Sequence, residues 1–178
     1  MEPTTVMREL ILGGARSGKS RMAEVKANAS DLDVTYIATA TIYDDEMQQR
    51  VNRHKDDRPN HWSLIEEPIY LADTIAAITS PQCILVDCLT LWVTNLLMKE
   101  DDIFFAEQKT ALLTAIRNSQ CNLILVSNET GMGVIPMGAI TRRFVDESGW
   151  LHQEIATIVE QVTLSIAGLP HVLKSHTA

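Results

Sequence analysis

Cysteine is scarce in this chain of 178 residues. Its three cysteines, Cys83, Cys88 and Cys121, lie in or beside apolar runs and lack the spacing of metal ligands. An odd count so placed argues against a disulfide scaffold and predicts reduced, buried thiols in a cytoplasmic protein. Proline and glycine, at six and eight residues, are not enriched, and no repeat or low-complexity tract occurs. Fibrous and disordered classes are thereby set aside. Basic residues are outnumbered 15 to 23 by acidic ones, for a formal net charge of -8. That sign argues against nucleic acid as a partner, although a small phosphorylated ligand needs only a local cradle of backbone N–H groups. A long apolar run is missing too. The opening MEPTTVMREL carries two acids, and the run that follows soon meets Gly13-Gly14. It is too short for a signal peptide or a membrane span.

What the chain does have is an ordinary globular make-up, 46% hydrophobic, at a length that fits one domain over residues 1–178. Short apolar runs rich in β-branched residues alternate with helix-like stretches. Strands are expected at Arg8–Leu12, Val34–Ala38, Cys83–Val86, Asn122–Val126 and Val162–Ile166, with Val172–Leu173 closing the sheet. Helices are expected at Ser20–Ala29, Asp44 to about Lys55, Leu71–Ile78, Thr90–Met98, Ile103–Ile116 and Ala139 to about Val159. Continuous apolar strands separated by helices predict an α/β fold of the P-loop NTPase type, a mostly parallel sheet with helices on both faces. In such sheets the chemistry gathers at the carboxyl ends of the strands.

One motif sits at the first of those ends. Gly13-Gly14-Ala15-Arg16-Ser17-Gly18-Lys19-Ser20 fits G-x-x-x-x-G-K-[ST] between a strand and a helix. The glycines let backbone N–H groups converge on a β-phosphate, and the helix N-terminus adds its positive end. Lys19 can reach the β- and γ-phosphates, and the Ser20 hydroxyl can ligate Mg²⁺. Asp87 ends the run ILVD, where a P-loop protein needs a carboxylate for its hydrated metal, although a helix-capping aspartate is the plain alternative. Ser20 and Asp87 are the metal candidates.

Many activities share a P-loop. Several further stretches, LILGGARSGKSRMAE, YIATA, DDEMQQRVNRHKDDRPNHW, ILVDCLTLWVTNLL, LVSNETGMGVIP, ITRRFVDESGWLHQEIA and LSIAGLPHVLK, follow one another along nearly the whole chain. Together they resemble the bifunctional adenosylcobinamide kinase/adenosylcobinamide-phosphate guanylyltransferase family of cobalamin biosynthesis. The resemblance implies two reactions. A nucleoside triphosphate, ATP or GTP, phosphorylates the aminopropanol hydroxyl of adenosylcobinamide. GTP then donates GMP to that phosphate through a histidine phosphoramidate, giving adenosylcobinamide-GDP and pyrophosphate. It also implies a homotrimer.

The resemblance places the nucleophile at His54. Read alone, His54 fits a solvated histidine on a charged helix better than a nucleophile. Near-neutral imidazole is nucleophilic at pH 7, and Lys55 and Arg58 are close enough in sequence to hold phosphates. Some relatives carry two adjacent histidines here, whereas this chain has Arg53-His54 and keeps the H-x-x-x-R-P spacing. His61 stands beside Trp62 in a loop. His152, His171 and His176 are expected at the surface, His171 in a turn after Pro170.

Further nucleotide contacts implied by the resemblance are Ala38, Thr39, Ala40, Lys55, Asp56, Asp57, Arg58 and Glu66. The Glu66 carboxylate can accept from guanine N1–H and N2–H₂, or be a plain loop acid. Some relatives have Glu where this chain has Asp87. Asn128-Glu129-Thr130-Gly131 resembles the family's N-E-x-G signature, and Glu129 is either a base for the substrate hydroxyl or a residue that shapes the loop. Gly131 to Pro136 is expected to border the corrinoid, and Arg142 and Arg143 to face solvent. The stripes Trp92/Leu96/Leu97 and Phe104/Phe105/Leu112 read as core or subunit contact. Two rivals stay open: a P-loop kinase without guanylyl transfer, and a nucleotide-binding module without turnover.

Overall fold

Strand β1 (Arg8–Gly13) places Leu10 and Leu12 on one face and Ile11 on the other, all buried. A strand apolar on both faces belongs in the middle of a covered sheet. In the computed structural model, which describes residues 6–41 and 59–175, it lies there. The further strands are β2 (Val34–Ala38), β3 (Ser63–Glu66), β4 (Cys83–Asp87), β5 (Asn122–Asn128), β6 (Gln161–Ile166) and β7 (Leu169–Lys174). They form one sheet in the order β3-β2-β4-β5-β1-β6-β7, parallel throughout except for the antiparallel β6–β7 pair.

Both faces are covered, unequally. Helix α1 (Lys19–Asn28) buries Ala23 and Ala27 on the face that also holds Ile11, Tyr36, Trp62, Leu85 and Val126. On the opposite face lie α2 (Leu71–Ala77), α3 (Leu89–Leu97), α4 (Asp102–Asn118) and α5 (Ala139–Ile158). They cover Leu10, Ile37, Ile84 and Leu125 with side chains such as Trp92, Leu96, Leu112 and Ile155. The apolar stripes of α3 and α4 therefore serve the core: Trp92, Leu96, Leu97, Phe105 and Leu112 are buried and Phe104 packs against them. Helix α4 starts where Asp101 accepts a hydrogen bond from the Phe104 N–H at 2.9 Å, an N-cap of the usual kind.

The α/β class is as expected, and most elements fall within a residue or two of their predicted bounds. Two differences stand out. β3 was not anticipated, because it is four residues long and mostly exposed, so no apolar run marks it. β7 is a full six-residue strand rather than a two-residue stub. His171 is therefore not in a turn: it pairs with Leu164 on the outer edge strand, the one place where Pro170, lacking an N–H, is tolerated in a sheet. The helix expected at Asp44 to Lys55 lies outside the described residues.

Candidate functional site

The parallel register brings five strand ends to one edge. Gly13 aligns with Asn128, Asp87 with Val126 and with Ala38, and Ala38 with Glu66. The phosphate-loop residues, Asp87, Ala38 and Glu66 thus share the carboxyl edge, where an open α/β sheet holds its ligand.

The loop between β1 and α1 is wound tightly. Ser17 N–H donates to the Gly14 carbonyl at 3.2 Å, and Arg16 and Gly18 adopt left-handed backbone at φ 56° and 89°. Gly13 admits no side chain, since a Cβ there would meet Ser17 Oγ at 2.3 Å and the Ser165 carbonyl at 2.7 Å. The hairpin tip between β6 and β7 braces the loop from behind. The Gly168 N–H and the Ser165 hydroxyl both donate to the Ser17 carbonyl at 2.8 Å. Gly14, Ala15 and Arg16 are exposed, and no side chain caps the N-terminus of α1. The first-turn N–H groups of α1 are therefore left for an anion. Lys19 lies back over the loop, donating to the Gly14 carbonyl at 3.1 Å. Burial pushes its pKa down, while the nearby Cys88 and Asp87 oppose that shift. Lys19 and Asp87 thus face one site.

Asp87 is half-buried, and the Tyr36 hydroxyl donates to its Oδ2 at 3.2 Å. Burial first, and then the Asp87 charge, drive the Tyr36 pKa far upward, so the phenol stays protonated. Asp87–Cys88 is a cis peptide. Thr39, fully buried, clasps it: its hydroxyl donates to the Cys88 carbonyl at 2.6 Å and accepts from the Cys88 N–H at 2.9 Å. Asn95 Nδ2 donates to the Thr39 carbonyl at 2.8 Å. Thr39 accordingly aims the Asp87 turn, and its half-buried neighbours Ala38 and Ala40 flank it at the edge. Ser20, half-buried in the first turn of α1, and Asp87 supply hydroxyl and carboxylate oxygens, a donor set suited to Mg²⁺ that keeps several waters. Among the described residues no group of three or more His, Cys, Asp or Glu side chains could hold a metal. All three cysteines are free and buried, and burial pushes the Cys83 and Cys88 thiols up to about 11.

Asn128 and Glu129 leave β5 beside the phosphate loop. Glu129 N–H donates to the Gly13 carbonyl at 3.0 Å, and Glu129 Oε1 accepts from the Gly131 N–H at 2.5 Å. Beyond it, Met132, Val134, Ile135 and Met137 are strongly exposed. Arg142 donates to the Pro136 and Met137 carbonyls, and Arg143 pairs with Asp102 at 2.7 Å over the Phe105 ring, so both arginines are tied to the protein.

His152 departs from expectation. It is buried, and its Nε2 lies 2.8 Å from Ser127 Oγ. Its position is explained by the stripe Ser148, Leu151, His152 and Ile155, the buried face of α5 at helical spacing. That spacing was the available signal. Glu66 is exposed at the end of β3, and His61 is exposed beside buried Trp62. His54, Lys55, Asp56, Asp57, Arg58 and His176 lie outside the described residues.

The family model described as cobinamide kinase / cobinamide phosphate guanyltransferase (CobU) matches residues 9–173. The bifunctional adenosylcobalamin biosynthesis protein CobP of Pseudomonas aeruginosa is 53% identical over 169 residues, covering 94% of this chain and 98% of that protein. The corresponding protein CobU of Escherichia coli is 37% identical over 177 residues, covering 92% and 97%. Among solved structures, a protein of Pyrococcus horikoshii superposes with a TM-score of 0.58 at 12% identity, over 96% of this chain and 87% of its own. The ATPase EscN, solved in complex with its central stalk EscO from enteropathogenic Escherichia coli, gives 0.60 at 14% identity, over 96% and 48%. At such identities the likeness speaks for the fold alone.

Proposed function

The chain belongs to the cobinamide kinase / cobinamide phosphate guanyltransferase family, and on that premise we propose how its residues divide the two reactions. It is an enzyme of cobalamin biosynthesis that phosphorylates adenosylcobinamide and then transfers GMP from GTP to the product. The observation that carries the division is the meeting of the phosphate loop, Asp87 and Glu129 at one sheet edge, with Glu129 bonded to Gly13.

In the kinase step the exposed loop N–H groups and the N-terminus of α1 hold the β-phosphate of ATP or GTP, with Gly13 to Ser20 as the cradle. Lys19 neutralises charge as the γ-phosphoryl group moves. Ser20 and Asp87 are the residues that would hold Mg²⁺, which neutralises phosphate charge when bound. The substrate hydroxyl oxygen forms a bond to the γ-phosphorus as the bond to the bridging oxygen breaks. The nucleoside diphosphate leaves, and Glu129 takes the hydroxyl proton.

In the guanylyl step the His54 imidazole attacks the α-phosphorus of GTP and pyrophosphate leaves. A phosphate oxygen of adenosylcobinamide phosphate then attacks the phosphoramidate and releases His54. By the family resemblance Lys55, Asp56, Asp57 and Arg58 contact that nucleotide, and Glu66 reads the guanine edge. Ala38 and Ala40, half-buried at the sheet edge, contact a nucleotide, and buried Thr39 holds that segment in place. The exposed apolar loop 131–137 borders the corrinoid, and its hydrophobic side chains suit a large, partly apolar ligand. One catalytic domain performs both steps, assembled as a homotrimer in the cytoplasm, where the buried thiols stay reduced.

Incubating the protein with adenosylcobinamide, Mg²⁺ and GTP tests the reading. Adenosylcobinamide phosphate should form first and adenosylcobinamide-GDP second. Accumulation of the phosphate alone would leave a kinase and remove the second activity.

A further inference from the structure

Beneath the catalytic edge runs a buried polar chain that neither reaction uses. β5 extends past its neighbour: Asp87, the last residue of β4, pairs with Val126, so Ser127 and Asn128 have no partner on that strand. Thr90, in the first turn of α3, stands in for it. The Asn128 N–H donates to Thr90 Oγ1 at 2.7 Å. Thr90 Oγ1 lies 3.2 Å from Ser127 Oγ, which lies 2.8 Å from His152 Nε2. Thr90, Ser127 and His152 are 8%, 1% and 7% exposed, so this chain is dry and each partner matters. The next N–H along, that of Glu129, turns the other way onto Gly13. The Asn128–Glu129 step is thus held between the phosphate loop on one side and His152 on the other.

His152 also belongs to α5, which begins at the far end of the loop that Glu129 opens. The helix that carries this imidazole therefore also continues from that loop. Burial lowers its pKa, an effect the Glu129 charge opposes, and the neutral ring so favoured can accept the Ser127 proton.

We propose that His152 is a positioning residue for phosphorylation of the substrate hydroxyl, acting through Ser127 and Thr90 on the backbone that carries Glu129. The proposal rests on the reading of Glu129 as the base. A base must lie within hydrogen-bond reach of its proton, and a misplacement of about 1 Å can cost roughly a hundredfold in rate. Removing the chain should therefore lower turnover while leaving the triphosphate cradle, which other bonds hold, intact.

The test measures kcat and KM for nucleotide and for adenosylcobinamide, with the melting temperature alongside, in Ser127→Ala, His152→Leu, His152→Gln and the Ser127→Ala/His152→Leu double variant. Ser127→Ala and His152→Leu should each lower kcat roughly tenfold with the nucleotide KM changed by no more than about twofold. The double variant should be no worse than the poorer single one. His152→Gln, whose amide oxygen stands as many bonds from Cβ as Nε2 does and can accept the Ser127 proton, should recover most of the loss. Wild-type kcat in folded Ser127→Ala, or a loss confined to nucleotide KM, would overturn the proposal. If His152→Leu fails to fold, Ser127→Ala and His152→Gln decide it. Glu129→Gln runs in parallel. If it keeps full kcat, the base reading fails and the proposal falls with it. If it is inactive while Ser127→Ala is unimpaired, the positioning role alone is wrong.

Discussion

The backbone N–H of Glu129 donates to the carbonyl of Gly13 across 3.0 Å, joining the strand end that opens the phosphate loop to the first residue after β5. If Glu129 serves as the base for the acceptor hydroxyl, as proposed, the segment that cradles the donor phosphates also positions it. The bond sets the distance between the two segments, which an in-line transfer between two bound reactants depends on.

The loop itself depends on Gly18. Its φ of 89° is left-handed, and a Cβ there would meet Gly168 Cα at 3.0 Å, backbone that cannot swing aside. Gly18→Ala should cost about 1–2 kcal/mol in urea unfolding, from the left-handed conformation alone. It should also weaken GTP binding at least roughly tenfold by titration calorimetry, since the α1 N–H groups would no longer converge.

Tyr36 holds Asp87 by one oxygen, leaving the carboxylate aimed rather than free to rotate. Tyr36→Phe keeps the buried ring and removes the donor. A titration of kinase activity with Mg²⁺ should show half-saturation about tenfold higher, the low end of what losing a ligand's hydrogen-bond partner costs metal sites. The fold should lose about 1 kcal/mol.

His152 makes stability depend on pH in a stated direction. Its pKa in the folded protein lies below the ordinary 6.5, so between that lowered value and 6.5 the unfolded chain binds the extra proton. Stability is therefore full above about 6.5 and falls as pH drops below it. Urea midpoints of wild type and His152→Gln, compared between pH 7.5 and 5.5, should diverge, with the wild type losing more. Glu129 is the charged neighbour that opposes the shift, so Glu129→Gln should steepen the wild-type loss.

Legibility in the sequence followed the range of the interactions. The phosphate loop was readable because Gly13 to Ser20 is a local motif whose strand and helix adjoin it, and β1, β4 and β5 announce themselves as continuous apolar runs. Strand β3 was not, because an exposed edge strand of four residues has no hydrophobic pattern to impose. The polar neighbours of His152 mask its burial, although the spacing from Leu151 to Ile155 puts it on the buried face. The links from Thr90 to Ser127 and from Gly13 to Glu129 span 37 and 116 residues, and only the register of the folded sheet brings them together.

The central claim, one protein with two transfers, turns on His54, and covalent labelling reaches it most directly. Incubation with GTP labelled at the α-phosphorus, without corrinoid, should leave label on the protein that acid removes and base does not, as a phosphoramidate behaves. His54→Ala should take up none while still phosphorylating adenosylcobinamide. A wild-type protein that turns over the kinase reaction yet never becomes labelled, or a His54→Ala variant labelled as fully as wild type, would contradict the account.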